Sequence, residues 1–192
     1  MKLHISFNNF KLRHICVFSI IILMKLKKNL ILIGNMASGK STIGRLLAKK
    51  LNLKFFDSDF IIEKKEKMKV FQIFEKKGEA AFRNIEKKIS LSLINNKNCI
   101  ISLGGGAFIN KAIRKAAQKN SIIVWLKQNP KKLIDRIRKN NKRPIAFKLN
   151  DAELRDLFIA RSKIYSKAKY EINCNDKEKN EIVREILKML TI

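Results

Sequence analysis

The stretch Gly34-Asn35-Met36-Ala37-Ser38-Gly39-Lys40-Ser41-Thr42 follows directly on the apolar run Leu30-Ile31-Leu32-Ile33. A short apolar run bounded by glycine reads as a buried strand, and the residues after Lys40 carry apolar positions at helical spacing. The spacing Gly-x4-Gly-Lys-Ser/Thr between a strand and a helix builds a loop whose backbone N–H groups curl round a phosphate. Residues Ala37, Ser38, Gly39, Lys40, Ser41 and Thr42 would form that cradle. Lys40 brings a point charge to the β- and γ-phosphates, and Ser41 offers a hydroxyl to Mg2+. A nucleoside triphosphate is therefore the expected ligand. A plain glycine turn would not need Lys-Ser-Thr at this offset.

Composition bounds the rest. A chain of 192 residues with 46% hydrophobic content makes one globular domain with a substantial core. The formal charge of +27 and pI near 10.3 would ordinarily point to nucleic acid or an anionic membrane. Here 33 lysines and 10 arginines are scattered along every helical segment, with no basic arm and no aromatic interleaving. No specific nucleic-acid partner is expected, and the charge serves mainly to steer anionic substrates inward. Five of only seven glycines fall in two loops, Gly34 with Gly39 and the triplet Gly104-Gly105-Gly106. Such a triplet marks backbone that tolerates no Cβ. Cys16, Cys99 and Cys174 lack metal-ligand spacing, and Cys99 and Cys174, in apolar strands, read as core thiols in a reducing cytoplasm. Residues 15–24 are apolar but too short to span a bilayer, and no small-residue cleavage site follows. Residues 1–23 are read as a dispensable extension, with Met24 as the natural start of a domain over 24–192 and no membrane partner.

Strands are expected at Leu30–Ile33, Lys54–Phe56, Cys99–Leu103, Ile122–Leu126 and Tyr170–Cys174, with helices between them. Asn129-Pro130 supplies an N-cap and a first-turn proline for one of these helices. The helical stretch from Val70 is expected to break at Gly78. Trp125 is assigned to packing. This β-α alternation predicts a three-layer α/β/α fold with a parallel sheet. Sites in such sheets lie beyond the carboxyl ends of the strands, so the phosphate loop, Asp57 with Asp59, and the glycine triplet should converge. Asp57 and Asp59 flank one residue, which on an extended chain turns both carboxylates the same way. One would manage Mg2+ and one would accept a hydroxyl proton. In a chain so rich in lysine, the arginines Arg83, Arg136, Arg143 and Arg161 point to a need for the planar bidentate fork.

Six signatures now stand in order across about residues 29–190: Gly-x-Met-x-x-Gly-Lys-Ser-Thr at 34–42, Phe-x-Asp-x-Asp at 55–59, Glu-x-x-Phe-Arg at 79–83, Ser-Leu-Gly-Gly-Gly-Ala at 102–107, Arg-Pro at 143–144 and Arg-x-x-x-Tyr at 161–165. Together they resemble the shikimate kinase family. The resemblance implies a five-stranded parallel core like that of nucleoside monophosphate kinases, a monomer, and transfer of the ATP γ-phosphoryl group to the 3-hydroxyl of shikimate. It implies that Asp59 binds the substrate hydroxyls and serves as base, and that Arg83 and Arg161 hold the shikimate carboxylate. Gly104, Gly105 and Gly106 would bring backbone against the ring. Arg143, on a lid over about 140–152, would close on the phosphates beside Lys40, with Arg136 near the adenine. Ser41 and Asp57 would manage Mg2+.

Two departures from the family pattern stand out. Ala37 replaces a usual glycine, so the loop must keep that position at a φ open to an L-residue. Residues 173–180, part of the adenine pocket in the family, offer no basic match. The rival readings are a gluconate-type or nucleoside monophosphate kinase and, more distantly, a basic nucleic-acid-binding protein. An adenylate kinase would usually carry glycine where Ser41 stands.

Overall fold

The computed structural model describes residues 28–139 and 149–190. The expectations placed on residues 1–23, Cys16, Arg143 and most of the 140–152 lid lie outside them. Five strands, β1 (Asn29–Ile33), β2 (Lys54–Asp57), β3 (Cys99–Ser102), β4 (Ser121–Lys127) and β5 (Tyr170–Asn173), form one sheet in the order β2-β3-β1-β4-β5. Every pairing is parallel, with Leu30 opposite Ile100 and Ile122, and Asp57 opposite Ser102. The helices are α1 (Lys40–Leu51), α2 (Ser58–Glu66), α3 (Val70–Ile94), α4 (Lys111–Asn120), α5 (Pro130–Arg138), α6 (Asp151–Tyr165) and α7 (Lys179–Leu190). Among the described residues, no helix is long and apolar enough to cross a membrane.

The period of two along β1 divides the interior into layers. Leu30 and Leu32 face Ile43, Leu47 and Leu51 of α1 and Ile182, Val183 and Ile186 of α7. Ile31 and Ile33 face the opposite layer, with Phe82, Ile89 and Leu93 of α3 and Ile113 of α4. Trp125 is buried within β4 against this second layer, in keeping with its packing assignment. A third cluster joins Leu133, Ile134 and Ile137 of α5 to Leu154 and Phe158 of α6, and Met36 and Ala37 pack on it. The phosphate loop is thus supported by the α5–α6 pair.

Local chemistry sets the helix ends. Asp57, Asn110, Asn129 and Asn150 each cap a helix by accepting backbone N–H bonds, and Asn150 forms a reciprocal capping box with Glu153. Gly78 interrupts α3 at φ 80, the break that its position in the helical pattern predicts. Strand order reverses at β1, which places the loop after it at the switch point where such sheets bind ligands.

Candidate active site

The loop after β1 turns on two glycines in left-handed backbone, Gly34 at φ 145 and Gly39 at φ 91. A Cβ on Gly34 would also fall 2.8 Å from the Leu126 carbonyl oxygen of β4. Lys40 Nζ, nearly buried, donates to the Gly34 and Asn35 carbonyls at 2.8 and 2.9 Å. Its charge is therefore held inside the loop where the terminal phosphates would lie. Ala37 sits at φ 61, inside the narrow left-handed region. That conformation costs an L-residue roughly 1–2 kcal/mol. Packing of the alanine on the α5–α6 cluster, and a bond from Arg136 NH1 to its carbonyl at 3.3 Å, offset the strain.

Ser41 Oγ donates to Asp57 Oδ2 at 2.5 Å, pairing the two groups expected to serve Mg2+. The other oxygen of Asp57 caps α2, accepting from the N–H of Asp59 at 3.1 Å and of Phe60 at 3.3 Å. The chain is thus helical from Ser58, and the extended geometry expected of Asp57 and Asp59 does not hold. The two carboxylates go separate ways, Asp57 to Ser41 and Asp59 to the glycine triplet, because the Asp57 cap starts the helix between them. A cavity of about 540 Å3 is lined by Ala37, Gly39, Lys40, Ser41 and Thr42, by Asp57 and Asp59, by Ser102 and Gly105, and by Arg136 and Lys139.

The triplet explains the rest of the cluster. A Cβ on Gly104 would lie 2.4 Å from Asp59 Oδ1 and 3.0 Å from Glu86 Oε1, and one on Gly106 would lie 2.4 Å from Arg83 NH1. On Gly105 it would come within 3.5 Å of Arg161 NH1 and 3.4 Å of the Met36 nitrogen. The missing side chains are the space in which Asp59, Arg83 and Glu86 stand. Two further residues pin the backbone: Gly104 N–H donates to Ser58 Oγ at 2.8 Å, and the buried Tyr165 hydroxyl donates to the Gly105 carbonyl. Burial pushes the Tyr165 hydroxyl up to about 12, against the lowering effect of Arg161, so it remains a donor.

Charge in this corner is shared by two guanidiniums, Arg83 and Arg161, and two carboxylates, Glu79 and Glu86. Arg83 NH1 donates to Glu86 at 2.8 Å, and Nε and NH2 donate to Glu79 at 3.2 and 3.1 Å. Burial opposes the Arg83 charge, yet the two carboxylates outweigh it and raise its pKa. Burial raises Glu86, and Arg83 and Arg161 only partly restrain it. Arg161 is lowered by burial first and then by the like charge of Arg83, against the raising effects of Tyr165 and Glu86. Arg161 thus stands buried beside a like charge, and a small anion would relieve it. Sequence reasoning missed Glu86. Its position three residues after Arg83, on the same stripe as Phe82 and Ile89, was the available signal.

The shikimate kinase family model matches residues 36–191, which takes in the phosphate loop from Met36 onward and every one of these elements after β1. The chain belongs to the shikimate kinase family. Its kin are ATP-dependent phosphotransferases. It is 41% identical over 160 residues to the shikimate kinase of Sulfurihydrogenibium sp., covering 83% of this chain and 96% of that one. It is 42% identical over 171 residues to that of Flavobacterium psychrophilum, covering 85% and 99%. Among solved structures, shikimate kinase from Acinetobacter baumannii in complex with shikimate superposes with a TM-score of 0.82 at 31% identity, covering 87% of this chain and 94% of that one. Shikimate kinase from Aquifex aeolicus gives 0.74 at 36%, covering 84% and 95%. A gluconokinase from Sinorhizobium meliloti, at 0.52 and 16% identity, shares the fold alone.

Proposed function

We propose that this shikimate kinase family member binds ATP across the phosphate loop and shikimate against the glycine triplet, and transfers the γ-phosphoryl group to the 3-hydroxyl. The observation that carries the reading is the single cavity lined at once by Lys40, Ser41 and Thr42 and by Asp59 and Gly105.

Shikimate is a ring with one carboxylate and three hydroxyls. Arg83 and Arg161 supply guanidiniums for the carboxylate, Arg161 being the less neutralised of the two, and Asp59 supplies an acceptor for ring hydroxyls at the phosphate end. Asp59 takes the 3-hydroxyl proton as the oxygen attacks phosphorus, and ADP leaves with the electron pair of the broken bond. Phosphoryl transfer asks the protein mainly for alignment and charge neutralisation, which Lys40 provides along with Arg143 on the 140–152 lid. Arg136 lies beside the adenine end. A hard cation prefers oxygen donors and binds kinase sites through few protein groups, so the Ser41–Asp57 pair fits Mg2+. Mg2+, when bound, neutralises charge on the β- and γ-phosphates. In this reading the enzyme is a cytoplasmic monomer, and residues 1–23 are dispensable.

An ADP-release assay with shikimate, gluconate and nucleoside monophosphates as separate acceptors tests the proposal. Shikimate-dependent turnover is expected, largely abolished by Asp59→Asn and retained after removal of residues 1–23. Turnover with gluconate or a nucleotide but not shikimate overturns it.

A further inference from the structure

Gln128 stands between the last residue of β4 and the N-cap of α5, and it is buried. Its Nε2 donates to the Cys174 carbonyl at 3.3 Å, and its Oε1 accepts from Arg136 NH1 at 2.7 Å. Cys174 is itself tied to the sheet, its N–H donating to the Lys127 carbonyl at 2.8 Å. Exchanging the amide oxygen and nitrogen would set donor against guanidinium and oxygen against carbonyl, so only one orientation satisfies both ends. The same Arg136 nitrogen donates to the carbonyl of Ala37, the strained residue of the phosphate loop.

We propose that Gln128 is a positioning residue for nucleotide binding, acting through Arg136. It holds that guanidinium at the cavity wall and, through it, holds the left-handed turn of the loop at Ala37. An unrestrained arginine samples many rotamers that a nucleotide would have to freeze; a buried acceptor at the end of a strand freezes them beforehand. Because both bonds run through NH1, the remaining donors and the planar face of Arg136 stay available to a ligand. This inference rests on the ATP reading above but not on the identity of the acceptor.

The test is direct titration of a fluorescent ATP analogue with Mg2+ and without shikimate. Gln128→Met keeps length and packing but loses both bonds, and weakens nucleotide binding by about fivefold to tenfold, the range of one charge-assisted hydrogen bond at a partly open site. The KM for shikimate stays within about twofold, since its groups are untouched. Gln128→Glu keeps an acceptor for Arg136 but sets its second oxygen against the Cys174 carbonyl, and recovers part of the affinity. In an Arg136→Ala background, Gln128→Met adds no further loss, as required of a residue that works only through that arginine. Wild-type affinity in Gln128→Met, or a loss that adds in full to that of Arg136→Ala, overturns the proposal. Wild-type protein that binds nucleotide but leaves shikimate unphosphorylated overturns the acceptor assignment and leaves this one standing.

Discussion

Gly104→Ala isolates the claim that the triplet exists to make room for Asp59. The backbone at Gly104 is not left-handed, so an added methyl brings no conformational strain, only contact. That methyl carbon would stand 2.4 Å from Asp59 Oδ1, where ordinary contact begins near 3.4 Å. The carboxylate must therefore retreat by about 1 Å, a displacement that costs about a hundredfold in rate at a reacting centre. Expressed as transition-state free energy, that loss is ~2.7 kcal/mol. Overpacking also takes about 1–3 kcal/mol from stability, which lowers Tm by roughly 2–4 °C per kcal/mol in a chain of this size. Steady-state kinetics with varied shikimate, alongside a thermal melt and an ATP titration, separates these effects. The expected pattern is a hundredfold loss in kcat/KM for shikimate, a modest fall in Tm, and ATP affinity within about threefold of wild type. A variant that melts normally and keeps kcat/KM within threefold would refute the placement of Asp59 against the triplet.

Arg83→Lys removes the fork that engages Glu79 and Glu86 and is proposed to hold the substrate carboxylate. The KM for shikimate should rise roughly tenfold with kcat changed by less than about twofold, and an unchanged KM contradicts the role. Tyr165→Phe strips the donor from the Gly105 carbonyl. It should cost about 1 kcal/mol of stability and raise the KM for shikimate; a variant equal to wild type in both places the triplet's support elsewhere. Glu86 carries a pH signature, because burial holds its carboxyl above the ordinary 4.5. A group whose folded-state pKa exceeds its unfolded value favours the fold at low pH and loses that contribution as pH rises through the folded value. Urea melts between about pH 4 and 8 should show the stability of the wild type relative to Glu86→Gln falling as pH rises, and a flat or rising difference would contradict the buried placement.

Much of this molecule could be read before it was seen. Four apolar residues before a glycine loop, repeated β-α spacing and Gly78 pointed to the parallel sheet, its layers and the α3 kink, whereas the strand order β2-β3-β1-β4-β5 emerges only from the tertiary pairing. Chemistry at a distance was harder. The Gly104 and Gly106 positions announced close backbone approach, but only the fold revealed that the approaching groups are Asp59, Glu86 and Arg83. The extended pairing expected of Asp57 and Asp59 fails because Asp57 is an N-cap that turns the chain into α2 at once. Gln128 gave no local signal, since its partners Arg136, Ala37 and Cys174 meet only when β4, α5, the phosphate loop and the end of β5 converge.

The central claim is that one cavity passes a phosphoryl group from ATP to a particular ring oxygen. Phosphorus NMR of the reaction mixture tests it most directly, by reading which ring proton couples to the new phosphate. A single phosphomonoester coupled to the proton at carbon 3 of shikimate, formed in step with ADP, is expected. Inorganic phosphate as the sole product, or a phosphate on another hydroxyl, would contradict it.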